Sequence, residues 1–482
     1  MNSKITFVLL LFTISISSAQ TICSGGFAGA YPCNKIDLYS QLPAIQLGGT
    51  VSTESNDIWG WTDPLNNKEY AIIGLESHTA FVDISVPTAP VYLGKLPTAS
   101  ENSIWRDIKV YSNHAYIVSE ARAHGMQVFD LTRLRGVSTP QTFTADFHYT
   151  GFGKCHNIAI DEVNGYAYAI GTRTYVPGSS GVSNGGGPHI MNIQNTAVMP
   201  VFVNEYNAQG YSHDAQIVVY NGPDTEHIGK QIYIGSNENK VVVVDITNKL
   251  APVLISNFTY TNTAYTHQGW FTENHKYFIL GDEIDEQSFG FNTKTVIIDM
   301  TDLDAPVLKW NYNGLTAAID HNGYTKGNDF YLANYRAGLR IMDISDIDNT
   351  NMTEVGFFDT YPSSNSNQFN GAWSVYPYFA SGSIIISDIE RGLFVVKKNA
   401  VLSNNDYSTS SISLYPNPTN RLVNLSLEVP IEKVEIFNLL GTKVMSMNNF
   451  NSNEIQFNVS ELASGMYIVL VNDLLSQKLI IK

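Results

Sequence analysis

The feature that most constrains the fold of this chain is a repeat of about 50 residues that runs through its middle. Each unit contains an apolar strand with a motif such as VVVVDIT or LRIMDIS, and a second strand such as KYFILGDE precedes it. A third strand, earlier still, opens on an aromatic or histidine anchor: Trp59, Trp105, His156, His213, His267, His321 and Trp373. Successive anchors are 46 to 57 residues apart. Seven units of this length, each with three or four short strands, predict a closed seven-bladed β-propeller.

The fourth strand of a unit predicts how the ring closes. It follows APV turns, as in APVLISNFTY, but the seventh unit ends at GLFVVKKN without one. A matching segment, LPAIQLGGT, occurs near the N-terminus. We therefore predict a propeller over residues 42–398, in which residues 42–48 form the outer strand of the last blade. Closure of this kind removes an exposed sheet edge that would favour aggregation.

Composition agrees with an all-β chain and excludes some partners. Of the 482 residues only 15% are charged, while 27 Tyr and 23 Phe supply side chains that suit strands. The formal net charge of -16 repels phosphate backbones, so we expect no nucleic-acid partner. No apolar run after residue 20 is long enough to predict a transmembrane span in the mature chain.

The N-terminus predicts export. Residues 1–19 combine Lys4, the apolar run ITFVLLLFTISI and small residues before a cleavage site, which is the pattern of a signal peptide. Residues 20–41 form an N-terminal arm that contains Cys23 and Cys33. In an oxidising compartment these two cysteines are expected to form a disulfide, the alternative being two free thiols.

The C-terminus predicts a second, smaller domain. A polar, Ser/Asn-rich linker covers residues 399–410, and residues 411–482 alternate short strands with turns, as in a small Ig-like β-sandwich. The motifs YPNP, IFNLLGTKV, LASGMYIV and KLIIK occur there in order. This region resembles the type A C-terminal sorting domain of the bacterial type IX secretion system. The resemblance implies that the type IX machinery recognises residues 411–482 and delivers the protein to the outer cell surface or the medium. The alternative is an unrelated Ig-like binding module.

The repeat itself carries a second resemblance. Strands such as VVVVDIT and LRIMDIS resemble the LVIVD repeat, and the region from CSGGFAGAYPC to SDIERGLFVVKK is similar to the choice-of-anchor B family of secreted bacterial proteins. That family implies an architecture and variable C-terminal anchoring. It implies no particular activity.

Four anchors are histidines, and they predict a candidate metal site. His156, His213, His267 and His321 come from consecutive blades, and Glu283 and Asp285 lie nearby in sequence. Imidazoles and carboxylates bind zinc, copper or iron, so convergence at the channel mouth would make a metal centre. The alternative is that each histidine joins neighbouring blades through hydrogen bonds. Trp at the other three anchors favours this alternative, since Trp cannot ligate a metal.

Two acidic segments raise the question of calcium. GDEIDEQSFG, residues 281–290, places four acids within five residues, and DISDIDNTN, residues 343–351, is a weaker case. Closely spaced carboxylates repel one another unless a cation neutralises them. The alternative is a solvated acidic loop, because neither segment has the full ligand pattern of an EF-hand.

These observations favour a recognition module over an enzyme. Nucleophile-elbow, zinc-protease and haem-attachment motifs do not occur in the sequence, so no catalytic residue is assigned. Abundant Tyr, Asn and Trp suit contact with an extracellular protein or glycan. The alternative function is a metal-dependent hydrolase or oxidoreductase that uses the histidine cluster.

Overall fold

The structure of the protein is a computed structural model, which describes residues 20–174, 182–183, 185–195, 199–399, 413–438, 441–472 and 475–482. The predicted signal peptide and all but the first residue of the predicted linker lie outside these ranges. The described chain forms two compact units, one that ends at Asn399 and one that contains the described residues after it.

The first unit begins with an N-terminal arm and four blades. The arm contains β1 (Phe27–Ala28), β2 (Tyr31–Asn34) and β3 (Ile36–Leu42). Blade 1 contains β4 (Ser55–Thr62), β5 (Glu69–Leu75), β6 (His78–Asp83) and β7 (Val91–Pro97). Blade 2 contains β8 (Arg106–Tyr111), β9 (His114–Ser119) and β10 (Met126–Asp130); β11 (Gln141–Thr142) then pairs with β7, and β12 (Phe147–Tyr149) completes the blade. Blade 3 contains β13 (Asn157–Asp161), β14 (Tyr166–Ile170), the hairpin β15 (Arg173–Thr174) and β16 (Val182–Ser183), β17 (His189–Asn192) and β18 (Val201–Glu205). Blade 4 contains β19 (Asp214–Val219), β20 (Gln231–Ser236), β21 (Val241–Asp245) and β22 (Val253–Phe258).

Three further blades complete the ring. Blade 5 contains β23 (Thr266–Phe271), β24 (Tyr277–Asp282), the short helix α1 (Asp285–Phe289), β25 (Lys294–Asp299) and β26 (Val307–Asn313). Blade 6 contains β27 (Gly323–Lys326), β28 (Asp329–Ala333), β29 (Leu339–Asp343) and β30 (Thr353–Phe358). Blade 7 contains β31 (Ala372–Tyr376), β32 (Ile384–Asp388) and β33 (Gly392–Lys398). Short 3-10 turns occupy Ala44–Leu47, Leu131–Leu134 and Ile347–Asn349.

The blades are antiparallel sheets arranged in a ring, which confirms the predicted seven-bladed propeller. The first strand of each blade contacts the first strand of the next, and β31 returns to β4. Apolar side chains pack between adjacent sheets. Phe81 of blade 1, for example, stacks on Phe129 of blade 2 with ring centroids 4.6 Å apart. The first strands therefore line a central channel, and their two ends define its two mouths.

The N-terminal arm closes the ring, but not with the residues that the sequence predicted. The outer strand of blade 7 is β3, which pairs antiparallel with β33, whereas the prediction was residues 42–48. Pro43 explains the difference, because it has no N–H to donate to a sheet and the chain turns into a 3-10 helix immediately after it. β2 extends blade 6 by pairing with β30, and the predicted Cys23–Cys33 disulfide is present in this arm.

The second unit is a small β domain. Its strands are β34 (Ser413–Tyr415), β35 (Leu422–Asn438), β36 (Lys443–Asn458), β37 (Gly465–Val471) and β38 (Leu475–Ile481). They form one curled, nearly closed antiparallel sheet in the order β34-β35-β37-β38, with β36 also paired to β35. Buried apolar residues such as Val423, Val434 and Val469 fill its interior. This unit therefore has its own hydrophobic core.

Candidate functional site

Four histidines stand side by side at one mouth of the channel, where the first strands of blades 3 to 6 begin. The ring centroids of His156 and His213 are 3.9 Å apart. Those of His213 and His267, and of His267 and His321, are each 4.4 Å apart. The four rings line a cavity of about 400 Å³, which we call the histidine cavity. The structure therefore brings the predicted histidines into one continuous row.

The hydrogen bonds of the imidazoles fix their tautomers. Nδ1 of His213 donates to the carbonyl of His267 at 3.3 Å, and Nδ1 of His321 donates to the carbonyl of Trp373 at 2.5 Å. Because a carbonyl only accepts, Nε2 of both rings keeps a lone pair. Each hydrogen bond runs to the next blade. These two histidines therefore join blades, as in the alternative interpretation of the anchors. Nδ1 of His267 is buried and has no hydrogen-bond partner among the described residues.

Burial decides the charge of most of the row. Burial, together with neighbouring imidazoles, lowers the pKa of His213 and His267 well below the ordinary value. Burial likewise lowers the pKa of His321 to about 3. His156 differs: burial opposes its charge, but the Glu120 carboxylate at 2.5 Å outweighs burial and raises its pKa. Three of the four rings are therefore neutral at neutral pH.

Glu283 completes a compact group with two of the histidines. Its Oε2 lies 3.6 Å from Nε2 of His267, and its Oε1 lies 3.6 Å from Nε2 of His321. The hydroxyl of Tyr335 donates to Oε1 at 2.9 Å and holds the carboxyl in place. Burial raises the pKa of Glu283 to about 7. One ligand atom from each of these three residues lies within 4.8 Å of the other two.

The sixth predicted ligand, Asp285, is not part of this group. The chain turns into α1 after Ile284, and the Asp285 carboxylate forms an ion pair with Lys294 on β25. The neighbouring Asp282 accepts hydrogen bonds from the backbone N–H groups of Ala264 and Tyr265. Among the described residues, the 281–290 loop contributes only Glu283 to a group of three or more potential ligands.

The carboxylates of the second acidic segment are paired with other side chains of the protein. In the 343–351 segment, Asp346 accepts from the side chains of Asn349 and Asn351, and Asp348 pairs with Lys276 at 2.5 Å. These carboxylates are neutralised or hydrogen-bonded without an ion. For the 343–351 segment, these contacts therefore favour the alternative of an acidic loop over a calcium site.

A layer of polar side chains fills the middle of the channel. Asp57 accepts from the backbone N–H of Ile108, and Asp107 accepts from the backbone N–H of Ile158. Both bonds join a blade to the next one in the ring, so the two aspartates occupy equivalent positions in blades 1 and 2. Lys109 donates to Asp107 at 2.7 Å within the same layer. The layer separates the two ends of the channel.

This equivalence corrects the register that the sequence predicted for blades 1 and 2. Asn56 and Arg106 directly precede the two aspartates. They correspond to the four histidines of the other blades, and Trp59 and Trp105 do not. The separations from Asn56 to Arg106 and from Arg106 to His156 are then both 50 residues. Asn56 and Arg106 are neither Trp nor His, so the sequence pattern pointed to a nearby Trp in both blades.

The position three residues after the corrected anchor lines a second cavity, at the opposite mouth. Its volume is about 680 Å³, and we call it the aromatic cavity. Each blade contributes one residue at this position, namely Trp59, Lys109, Ala159, Gln216, Trp270, Tyr324 and Tyr376. The sequence did not predict this cavity, because Trp59 stands in place of the anchor in the apparent register of blade 1. In the corrected register of the repeat, four of the seven residues at this position are aromatic.

The aromatic residues form a continuous wall. The Trp270 and Tyr324 rings are 5.0 Å apart, Tyr324 and Trp59 are 5.7 Å apart, and Trp59 and Tyr376 are 5.1 Å apart, each in an edge-to-face arrangement. Tyr378 extends the wall at 5.3 Å from Tyr376. Trp270, Tyr376 and Tyr378 are half-buried, so part of each ring remains accessible to a ligand.

Several polar side chains also line the cavity. They include Asn157, Asp161, Asp214, Gln216 and Gln268. Burial, and then the charge of Asp107, raises the pKa of Asp214 to about 7. The cavity thus combines an aromatic wall with convergent hydrogen-bonding groups, which is a common design of small-ligand sites.

Family models match segments in both parts of the chain. Residues 413–482 match the secretion system C-terminal sorting domain, and residues 228–260 and 325–360 match the LVIVD repeat. The sorting domain indicates export through the type IX system to the cell surface or the medium. None of the described helices has the length and apolar character needed to cross a membrane. Among curated proteins, none matches the sequence of this chain.

Solved structures with low similarity also exist. PorZ, a surface component of the type IX secretion system of Porphyromonas gingivalis, shares 12% identity with a TM-score of 0.44, over 86% of this chain and 58% of PorZ. A Lactobacillus plantarum protein shares 12% identity with a TM-score of 0.45, over 84% of this chain and 99% of its own. The extracellular domain of BT4673 from B. thetaiotaomicron shares 12% identity with a TM-score of 0.45, over 92% of this chain and 58% of its own. This chain thus spans 58% of PorZ and of BT4673, and these likenesses carry no inference about function.

Proposed function

We propose that this exported propeller binds a carbohydrate in the aromatic cavity. The observation that carries the proposal is the wall formed by Trp59, Trp270, Tyr324 and Tyr376 opposite polar side chains. Sugar rings present apolar C–H faces and a rim of hydroxyl groups. An aromatic wall covers such a face, and amide and carboxylate groups pair with the hydroxyls.

The size of the cavity favours a small ligand over a protein surface. Cavities of about 300–1,000 Å³ typically take small molecules, and the aromatic cavity lies within this range at about 680 Å³. A stable protein partner requires roughly 1,200–2,000 Å² of buried surface, which a channel mouth alone does not supply. An extracellular protein is therefore the less favoured partner of this cavity.

A second candidate function is metal-dependent hydrolysis or oxidoreduction at the opposite mouth. The group formed by His267, Glu283 and His321 favours it, because two imidazoles and a carboxylate are a ligand set of catalytic zinc sites. That function requires first that these three residues bind a metal ion.

A glycan array probed with the purified chain, Gln20–Lys482, tests the carbohydrate proposal. We expect Trp270→Ala to weaken binding of the best array ligand by at least tenfold, because truncating a buried aromatic anchor typically costs about 2 kcal/mol or more. Trp373→Ala is the matched control, since Trp373 is also a half-buried Trp on a first strand but lines the histidine cavity. It should change the affinity less than twofold.

Three results would count against the proposal. They are an array without any bound glycan, full binding by Trp270→Ala, and equal loss in both variants. Binding of an extracellular protein through another surface, with no glycan bound, would favour the protein alternative instead.

A further inference from the structure

We propose that His267, Glu283 and His321 bind one divalent transition-metal ion of the zinc class at the histidine cavity. The site lies at the mouth opposite the aromatic cavity and is independent of the proposed carbohydrate function. Three protein ligands with an adjoining cavity of about 400 Å³ leave a coordination position for water or a small ligand.

The distances fit a shared ion better than direct contact. Each Glu283 oxygen is 3.6 Å from the Nε2 atom that it faces, which is longer than a hydrogen bond. Ligands that share a tetrahedral zinc ion at ~2.0–2.1 Å lie about 3.3 Å apart. Small rotations of the three side chains would therefore bring their atoms to ligand distance.

The hydrogen bonds of the imidazoles leave lone pairs where the ion would bind. His321 uses its Nδ1 proton on the Trp373 carbonyl, so the atom that faces Glu283 is the Nε2 lone pair. A lone pair aimed at a carboxyl group calls for a proton or a cation between them. His267 is 3% exposed, and its Nδ1 is unpartnered among the described residues. Because no described residue bonds to Nδ1, the ring proton can lie there and leave the Nε2 lone pair, which faces Glu283, for the ion.

Two residues outside the ligand set orient two of the three ligands through hydrogen bonds. Tyr335 donates to Glu283, and the Trp373 carbonyl orients His321, as carboxylates and carbonyls orient the ligands of known metal sites. The donor set also selects the metal. Calcium and magnesium prefer six or more oxygen ligands, whereas two imidazoles and one carboxylate suit zinc and its neighbours in the first transition series.

The described residues contain one other group of this kind, which is already satisfied by protein contacts. It consists of Asp224, Glu226, His227 and Asp304. The ammonium group of Lys230 donates to Nδ1 of His227 at 3.1 Å, and Nε2 of that ring then donates to Asp304 at 2.8 Å. Both ring nitrogens are occupied, so His227 makes a matched control.

Metal binding is tested on the purified chain, Gln20–Lys482, stripped with a chelator and dialysed against Zn²⁺ or Co²⁺. Elemental analysis should give one Zn²⁺ per chain, and Co²⁺ should give the visible absorption bands of a four- or five-coordinate ion. We expect Glu283→Gln and His267→Ala to weaken Zn²⁺ binding at least 100-fold. His227→Ala should leave both the stoichiometry and the affinity unchanged.

A variant that keeps all three ligands guards against loss of folding as the cause. Tyr335→Phe removes only the hydroxyl that orients Glu283, and it should weaken Zn²⁺ binding about 10- to 100-fold with an unchanged circular dichroism spectrum. The proposal is overturned if the unaltered chain binds no stoichiometric metal, if folded Glu283→Gln binds normally, or if His227→Ala removes the ion.

Discussion

Lys109 Nζ donates to Asp107 Oδ1 at 2.7 Å in the middle of the propeller channel, and the same ammonium lies 4.6 Å from the ring centroid of Trp59. Burial opposes the charge of Lys109, but Asp107 and then Asp57 outweigh burial and raise its pKa. Burial and the Asp107 charge raise the pKa of Asp57 well above its ordinary value, so Asp57 keeps its proton. One buried ion pair therefore lies within β8 of blade 2, between the two cavities, and its ammonium reaches Trp59 of blade 1.

The first prediction concerns this ion pair. Lys109→Met should lower the free energy of unfolding by about 3–5 kcal/mol, because it leaves Asp107 as a buried charge without its cation. Lys68→Met is the matched control, since Lys68 is half-exposed and its pair with Asp83 lies at the surface; it should cost at most about 1 kcal/mol. Urea denaturation measures both, and equal costs would show that the buried pair has no special role.

The second prediction concerns the N-terminal arm. The Cys23–Cys33 disulfide closes a loop with a sequence separation of 10 residues beside β3, the strand that closes the ring. The double variant Cys23→Ser/Cys33→Ser should lower the free energy of unfolding by about 2–3 kcal/mol through loop entropy. Dithiothreitol should reproduce this loss in the unaltered chain and add nothing to the double variant. A reductant effect of equal size in the variant would refute this explanation.

The third prediction concerns pH. Asp388 is fully buried at the end of β32, and burial raises its pKa to about 7. The native state therefore holds a proton that the unfolded chain releases above pH ~4, so the free energy of unfolding should fall as pH rises from ~4 to ~7. A rise from 3.8 to about 7 corresponds to roughly 4 kcal/mol for this group.

Asp388→Asn separates this group from the other buried acids. Asparagine cannot ionise, so the variant should lose less stability than the unaltered chain between pH 4 and pH 7. Chemical denaturation at several pH values gives both profiles. Parallel profiles would mean that Asp388 does not titrate in this window.

The repeat made most of the architecture predictable, because period and strand pattern are local properties of the sequence. Seven blades and the shared repeat position of the four histidines followed from it, whereas the arm disulfide followed from the export signal. The register of blade 1 did not, because Trp59 lies three places after Asn56, the residue that corresponds to the histidine anchors. The closing strand was placed too late because residues 42–48 resemble an outer strand, although Pro43 ends the pairing.

The limits of prediction at the site have a similar origin. Sequence spacing brought His267 and His321 together, because they occupy one repeat position. It did not distinguish Glu283 from Asp285, which are two residues apart but point to different partners once α1 begins. The aromatic cavity depends on residues that meet only when the ring is closed and the register is known.

A crystal structure of the chain soaked with the best ligand from the glycan array tests the central claim most directly. We expect difference density for a sugar in the aromatic cavity, with one ring face in van der Waals contact with Trp270 and hydroxyl groups near Gln216 or Asp214. Density confined to the histidine cavity or the outer blade surfaces, or no density at saturating ligand, would contradict it.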